Sequence, residues 1–216
     1  MRAMKSIVIL ISGRGSNMQA IVHAARRGKW PMHIAAVISN RANAPGLTFA
    51  RQHQIPAITV SSSDYSDRAA FDSALQQEID RYSPDLVVLA GFMRILTPGF
   101  VAHYAARMLN IHPSLLPSFP GMHTHRQALA AGVKVHGATV HFVTAELDHG
   151  PIVAQQAVPV LPDDTEAALA ARVLEVEHQL YAGAVQAFID ERLFIENGCV
   201  RIIDNIKPTI PMKESA

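Results

Sequence analysis

The side chains best placed to do chemistry lie in Asn110-Ile111-His112-Pro113-Ser114-Leu115-Leu116-Pro117. Met108 to Ile111 reads as the end of a strand, and the prolines then turn the chain away, because neither supplies the N–H a ladder needs. Residues at i and i+2 of a strand share a face, so Asn110 and His112 point together beyond the sheet. In open α/β sheets that place is the ligand crevice, outside the carboxyl ends of the strands, where an amide and an imidazole can hydrogen-bond a bound molecule. A proline-stiffened loop with a capping asparagine is the plainer alternative.

Three further stretches bear on that pair. Gly13-Arg14-Gly15-Ser16-Asn17 follows a strand and opens a helix, yet Met18 stands where a dinucleotide fingerprint wants its third glycine. No acidic residue ends the second strand, and no Gly-Lys-Ser/Thr makes a triphosphate loop. Backbone N–H groups, the Ser16 hydroxyl and the Asn17 amide remain, a cradle suited to one phosphate; a tight turn needing glycine only for positive φ is the alternative. Ala90-Gly91-Phe92-Met93-Arg94-Ile95-Leu96 is an apolar loop able to wall a pocket for a flat heterocycle, although core packing also accounts for Phe92 and Leu96. Asp148, 36 residues after His112, is a carboxylate that could orient the imidazole and favour its protonated form, or simply a turn aspartate. His112, His123, His125, His136, His141 and His149 crowd one region, but only His123-x-His125 has a metal-like spacing. No cysteine or carboxylate cluster completes a shell, so no metal is expected.

The elements that must position these groups alternate. Ser6 to Ile11 is a β-branched run of the kind buried on both faces of a parallel sheet. A helix with Met18, Ile21, Val22 and Ala25 on one face follows, closed by Gly28. Further strands are expected at His33 to Ser39, Ala57 to Val60, Leu86 to Ala90 and Met108 to His112. Helices are expected through Gln52, from the serines at 61 to 63 to Tyr82, and after the Thr97-Pro98 cap. This order predicts a doubly wound, mostly parallel sheet. A short helix near His125 to Ala131 comes next, then strands at Val135 to Val143 and Pro151 to Val160, whose short connection makes them antiparallel. Asp163-Asp164-Thr165 caps a long helix, and Phe194 to Ile203 reads as a hairpin around Asn197-Gly198. We expect one domain over 1–204 and a loose tail over 205–216.

Composition narrows the function class. The 216 residues are 49% hydrophobic and 17% charged, with a net charge of +1, which gives no field for nucleic acid. The single cysteine, Cys199, excludes an internal disulfide and a zinc ribbon and suits a reducing, cytoplasmic setting. No apolar run approaches a membrane span, and the run Ile7 to Ile11 is too short for a signal-peptide core.

Together, Ile11 to Asn17, Leu89 to Leu96, Leu109 to Pro117, Pro120 to Arg126, His136-Gly137 and Leu147-Asp148-His149-Gly150 resemble the folate-dependent formyltransferases, in the family's order across residues 6 to 192. The resemblance implies a Rossmann-like formyltransferase fold with about seven strands. It implies 10-formyltetrahydrofolate as co-substrate, the amine of 5-phosphoribosylglycinamide as acceptor, and a monomer or homodimer. It places Asn110, His112 and Asp148 in catalysis, with the first two stabilising an oxyanion and Asp148 passing protons. Gly15, Ser16 and Asn17 fall on the phosphate loop and Glu177 near the acceptor. Arg68, Met93, Arg94, Ile95, Leu96 and Asn110 fall on the folate site, and Leu116-Pro117 on a cis peptide. His149 departs from the pattern, since relatives often carry glycine there. A formyltetrahydrofolate hydrolase would share the three catalytic residues but usually carries an N-terminal regulatory domain, whereas here the first strand starts by Ser6. A transfer-RNA formylase would need a C-terminal extension and a basic face. A non-catalytic nucleotide-binding module, or a metal hydrolase, would keep the glycine loop without needing the Asn110 and His112 pair.

Overall fold

A computed structural model describes residues 3–203. The expected tail at 205–216 lies outside the described residues. Strand β1 (Lys5–Ile11) leads through the glycine loop into α1 (Ser16–Gly28), and β2 (Met32–Ser39), α2 (Pro45–Gln52) and β3 (Ala57–Thr59) follow. Next come α3 (Arg68–Asp80), β4 (Leu86–Leu89), α4 (Pro98–His103) and β5 (Met108–His112). The chain continues through α5 (Thr124–Ala130), β6 (Val135–Phe142), β7 (Ile152–Pro159), α6 (Glu166–Ile189) and the hairpin β8 (Leu193–Glu196) and β9 (Cys199–Ile202).

Seven strands form one sheet in the order β3-β2-β1-β4-β5-β6-β7. The first five in the chain are parallel, and β6 and β7 add on antiparallel, as the alternation and the short 144–150 connection predict. Strand order reverses direction between β1 and β4, which is where open α/β sheets bind ligands, beyond the carboxyl ends of the strands. The sheet is buried on both sides because successive residues serve opposite cores. Ile7, Ile9 and Ile11 pack with Met18, Ile21, Leu47, Leu169, Val173 and Tyr181, whereas Val8 and Leu10 pack with Phe71, Leu75, Ile79, Phe100 and Tyr104. Helices α1, α2, α5 and α6 therefore cover one face, and α3 and α4 the other.

Local details differ from expectation, mostly by a residue at element ends, such as β4 stopping at Leu89 rather than Ala90. The serines at 61 to 63 do not start the long helix; Ser62–Asp64 forms a single 3-10 turn, and α3 begins at Arg68, where the Asp67 carboxylate accepts from Ala70 N at 2.9 Å. Aspartate is the stronger cap here because its fixed charge also complements the helix dipole. Lys29, not Gly28, takes the left-handed C-terminal position of α1, and Gly28 is small because a Cβ there would overlap Trp30 Nε1. The third strand stops at Thr59, one residue short. The hairpin turn at Asn197-Gly198 has both residues at positive φ, the geometry that two-residue hairpin loops require.

Candidate active site

Parity along β5 separates core from site. Leu109 and Ile111 face the α6 core, so Asn110 and His112 emerge on the opposite face. On β6, Ala138, Val140 and Phe142 face that same core, leaving Thr139 and His141 beside the pair. Antiparallel register sets Asn110 opposite His141 and His112 opposite Thr139, and Gln155 of β7 lies opposite Thr139. A polar row thus crosses three strands at the carboxyl end of β5.

The row is wired by hydrogen bonds. His141 Nδ1 donates to its neighbour's carbonyl, Phe142 O, at 2.9 Å, and burial pushes the imidazole below its ordinary pKa, so the ring is neutral with Nε2 as acceptor. Asn110 Nδ2 donates to that Nε2 at 3.2 Å, which fixes the amide and leaves its second N–H uncommitted by this contact. His112 Nε2 donates to Phe119 O at 2.9 Å, since a carbonyl can only accept. The other ring nitrogen, Nδ1, lies 3.5 Å from Asp148 Oδ2. The expected carboxylate and imidazole pair is therefore brought together, although the distance exceeds that of a formed N–H···O bond. His112 does not offer a free N–H to the crevice in this state: its Nε2–H is held by Phe119.

Asp148 is 7% exposed at its side chain and approached from three directions. Gly121 N donates to Oδ2 at 2.8 Å, His112 approaches the same oxygen, and His141 Nε2 lies 3.9 Å from Oδ1. Its backbone is left-handed, with φ 54°, a conformation that aspartate tolerates better than most residues. Gly150 closes the loop where no side chain fits, because a Cβ there would overlap the Phe142 carbonyl. His149 is outside the positive-φ residues, is exposed, and sits 3.8 Å from Glu146.

The segment between His112 and α5 is clamped to the sheet. Thr139 Oγ1 donates to Ser114 O at 2.7 Å and accepts from Leu116 N at 3.0 Å, while Gln155 Nε2 donates to Leu116 O at 2.8 Å. Leu116-Pro117 is cis, as the resemblance implied. Phe119 adopts φ 53°, an uncommon conformation for a bulky residue, and this aims its carbonyl at His112. His141, Thr139, Gln155 and Phe119 were not singled out for this role from sequence; the alternation of Thr139 and His141 with Ala138, Val140 and Phe142 was the available signal.

The glycine loop lies next to the apolar loop at the switch point. Ser12 N donates to Gly91 O at 3.1 Å, Met93 N donates to Ser12 Oγ at 2.8 Å, and that hydroxyl donates to Asn40 Oδ1 at 2.6 Å. Gly15, at φ 69°, is the left-handed N-cap of α1, and no side chain caps the first turn. The helix therefore starts with amide donors that its own carbonyls do not use. The Asn17 side chain is turned inward: its Nδ2 donates at 2.7 Å to Glu177 Oε2 of α6, so two residues expected at the acceptor end do meet. Burial raises the Glu177 carboxyl above its ordinary pKa, and the Asn17 bond partly offsets this. Met93, Arg94 and Ile95 are exposed, with Leu96 half-buried. The Arg94 guanidinium lies 5.4 Å from the Phe71 ring centroid, one turn along α3 from exposed Arg68.

Among the described residues, no three His, Cys, Asp or Glu side chains are grouped to hold a metal ion, and no helix is long and apolar enough to cross a membrane. His123 takes the left-handed N-cap position of α5, while the His125 ring packs edge-on against His136 with centroids 5.3 Å apart.

Residues 5–185 match the family model described as formyl transferase. The chain belongs to the formyl transferase family. Phosphoribosylglycinamide formyltransferase of Escherichia coli is 54% identical over 188 residues, 87% of this chain and 89% of that protein. The crystal structure of glycinamide ribonucleotide transformylase 1 from Symbiobacterium toebii superposes with a TM-score of 0.90 at 49% identity, covering 93% of this chain and 95% of the other. A formyl transferase fold of different activity, the formyltetrahydrofolate deformylase from Pseudomonas syringae, superposes with a TM-score of 0.87 at 31% identity, over 93% of this chain and 66% of that one.

Proposed function

We propose that this chain transfers the formyl group of 10-formyltetrahydrofolate to the amine of 5-phosphoribosylglycinamide. The observation that carries the reading is Asn110 and His112 on one face at the carboxyl end of β5, with Asp148 beside His112, in a chain whose sequence is 54% identical to a phosphoribosylglycinamide formyltransferase. The acceptor's phosphate would lie on the amides of Gly15, Ser16 and Asn17, where the helix dipole favours an anion. Asn17 holds Glu177 at the same end, ready to accept hydrogen bonds from the acceptor's hydroxyls. Met93 to Leu96 would wall the folate heterocycle, with Arg68 and Arg94 facing its acidic end.

In this reading the amine nitrogen bonds to the formyl carbon, and the carbonyl oxygen becomes an oxyanion. The uncommitted N–H of Asn110 donates to it, and His112 adds a second donor once its Nε2–H leaves Phe119 O. Donors aimed in advance at developing charge in a poorly hydrated cleft are the strongest contribution such a site can make. Asp148 orients His112 and takes the proton released by the attacking amine, through water, toward the folate nitrogen. Collapse of the oxyanion breaks the bond to that nitrogen, giving formylated ribonucleotide and tetrahydrofolate. The reaction needs no metal, and both substrates are small molecules of the cytoplasm.

The deformylase likeness makes water the competing acceptor. Paired assays of 10-formyltetrahydrofolate consumption, with and without the ribonucleotide, separate the two. Consumption that requires the ribonucleotide and matches formylated product one to one is expected. Equal consumption without it, with formate released, would assign hydrolysis instead.

A further inference from the structure

Tyr181 is among the largest fully buried side chains of the molecule, and it lies on α6, behind the sheet from the polar row. Packing alone would be served by phenylalanine. A buried hydroxyl, in contrast, needs a partner, and this one shares its single proton between two carbonyls, Leu109 O at 2.8 Å and Leu89 O at 3.0 Å. Those carbonyls lie on neighbouring strands: Leu89 ends β4, and Leu109 lies within β5. Leu89 immediately precedes the Ala90 to Leu96 loop, and Leu109 immediately precedes Asn110.

The peptide unit is planar, so the Leu109 carbonyl and the Asn110 N–H move as one body. Fixing that oxygen fixes the tilt from which the Asn110 side chain departs. The Leu89 and Ala90 peptide unit is held likewise, by Tyr181 on its carbonyl and by Leu10 O on its N–H at 2.9 Å. One helical turn before Tyr181, Glu177 accepts the Asn17 amide, so a single face of α6 touches the glycine loop, β4 and β5. Burial holds the phenol far above its ordinary pKa, which keeps the hydroxyl a donor at all physiological pH.

We infer that Tyr181 is a positioning residue: its hydroxyl sets the spacing of β4 and β5 beside Asn110 and thereby aims Asn110 at the reacting carbonyl. The inference rests on the oxyanion role of Asn110 given above. Misplacement of a reacting group by about 1 Å can cost on the order of 100-fold in rate.

The test compares Tyr181→Phe, Tyr181→Leu, Asn110→Ala and the double variant Asn110→Ala with Tyr181→Phe, assayed well below every melting temperature. Tyr181→Phe is expected to lower kcat by about tenfold or more, with both KM values within about twofold of wild type. Tyr181→Leu should lose the same activity but more thermal stability, because it also loses the ring. The double variant should turn over no more slowly than Asn110→Ala alone, since the hydroxyl acts only through Asn110. Wild-type kcat in Tyr181→Phe, or losses that multiply in the double variant, would overturn the inference while leaving the Asn110 assignment standing. Near-wild-type kcat in Asn110→Ala would overturn both.

Discussion

Asn110 has two amide hydrogens, and His141 holds one of them, which orients the other without consuming it. The site therefore reads as a donor aimed by a neutral histidine, with a second donor, His112, held in reserve on Phe119. Asn110→Ala should lower kcat by about 100-fold or more while barely changing the KM values, because the lost bond forms only near the transition state. Asp148→Asn keeps a residue that tolerates left-handed backbone, so steady-state kinetics should show a large kcat loss and an altered pH profile with little change in melting temperature. Near-wild-type turnover in both would leave these residues as architecture. Asn17→Asp carries a different expectation, set by its contact with buried Glu177. Two carboxyl groups at that distance share a proton, and its release as pH rises puts a second negative charge near the phosphate cradle. The ribonucleotide KM should rise by at least about tenfold, equivalent to about 1.4 kcal/mol, and rise further with pH, while the folate KM holds. An unchanged ribonucleotide KM would remove the phosphate assignment.

At the scale of elements, the site depends on how β6 and β7 are joined. Phe142 N donates to Pro151 O at 2.9 Å, and Gly150 passes too close to the Phe142 carbonyl for any side chain. Gly150→Ala should therefore cost about 1–3 kcal/mol of stability by overpacking and, by shifting the Asp148 loop, lower kcat as well. Denaturant melts and kinetics on the same preparation check both; an unchanged melt would refute the close-packing argument. Much of this architecture is legible in the residues. The β-branched runs give the parallel strands, and the i and i+2 spacing puts Asn110 and His112 on one face. Asn197-Gly198 gives the hairpin turn. Other features are not local and so are not legible. Asn17 meets Glu177 across 160 positions of chain, and only the packing of α1 on α6 joins them. The serines at 61 to 63 look like caps, yet it is the Asp67 carboxylate that accepts from the first turn of α3.

For the whole molecule, the buried histidines set the response to acid. His136 is almost fully buried, and burial depresses its pKa from 6.5 to about 4. Its protons bind the unfolded chain first, so stability is full above pH 6.5, declines as pH falls toward 4, and levels off below that. His125, His141 and His178 are shifted the same way by burial and steepen the decline. Asp164 acts in a lower window. Its pair with Arg172, at 2.7 Å, holds the carboxyl at about 2, below its ordinary 3.8, so that contribution is present above 3.8 and lost as pH falls through 2. Thermal melts from pH 8 to 3 should fall mainly between 6.5 and 4, and His136→Gln should flatten that limb; a flat wild-type profile there would contradict the buried neutral histidines.

The most direct measurement follows the formyl carbon itself. With 10-formyltetrahydrofolate carrying carbon-13 in its formyl group, incubated with the enzyme and 5-phosphoribosylglycinamide, the label should appear by NMR in the ribonucleotide's new formamide. Its rate of appearance should collapse in Asp148→Asn. Label accumulating as free formate, at a rate indifferent to the ribonucleotide, would contradict the account.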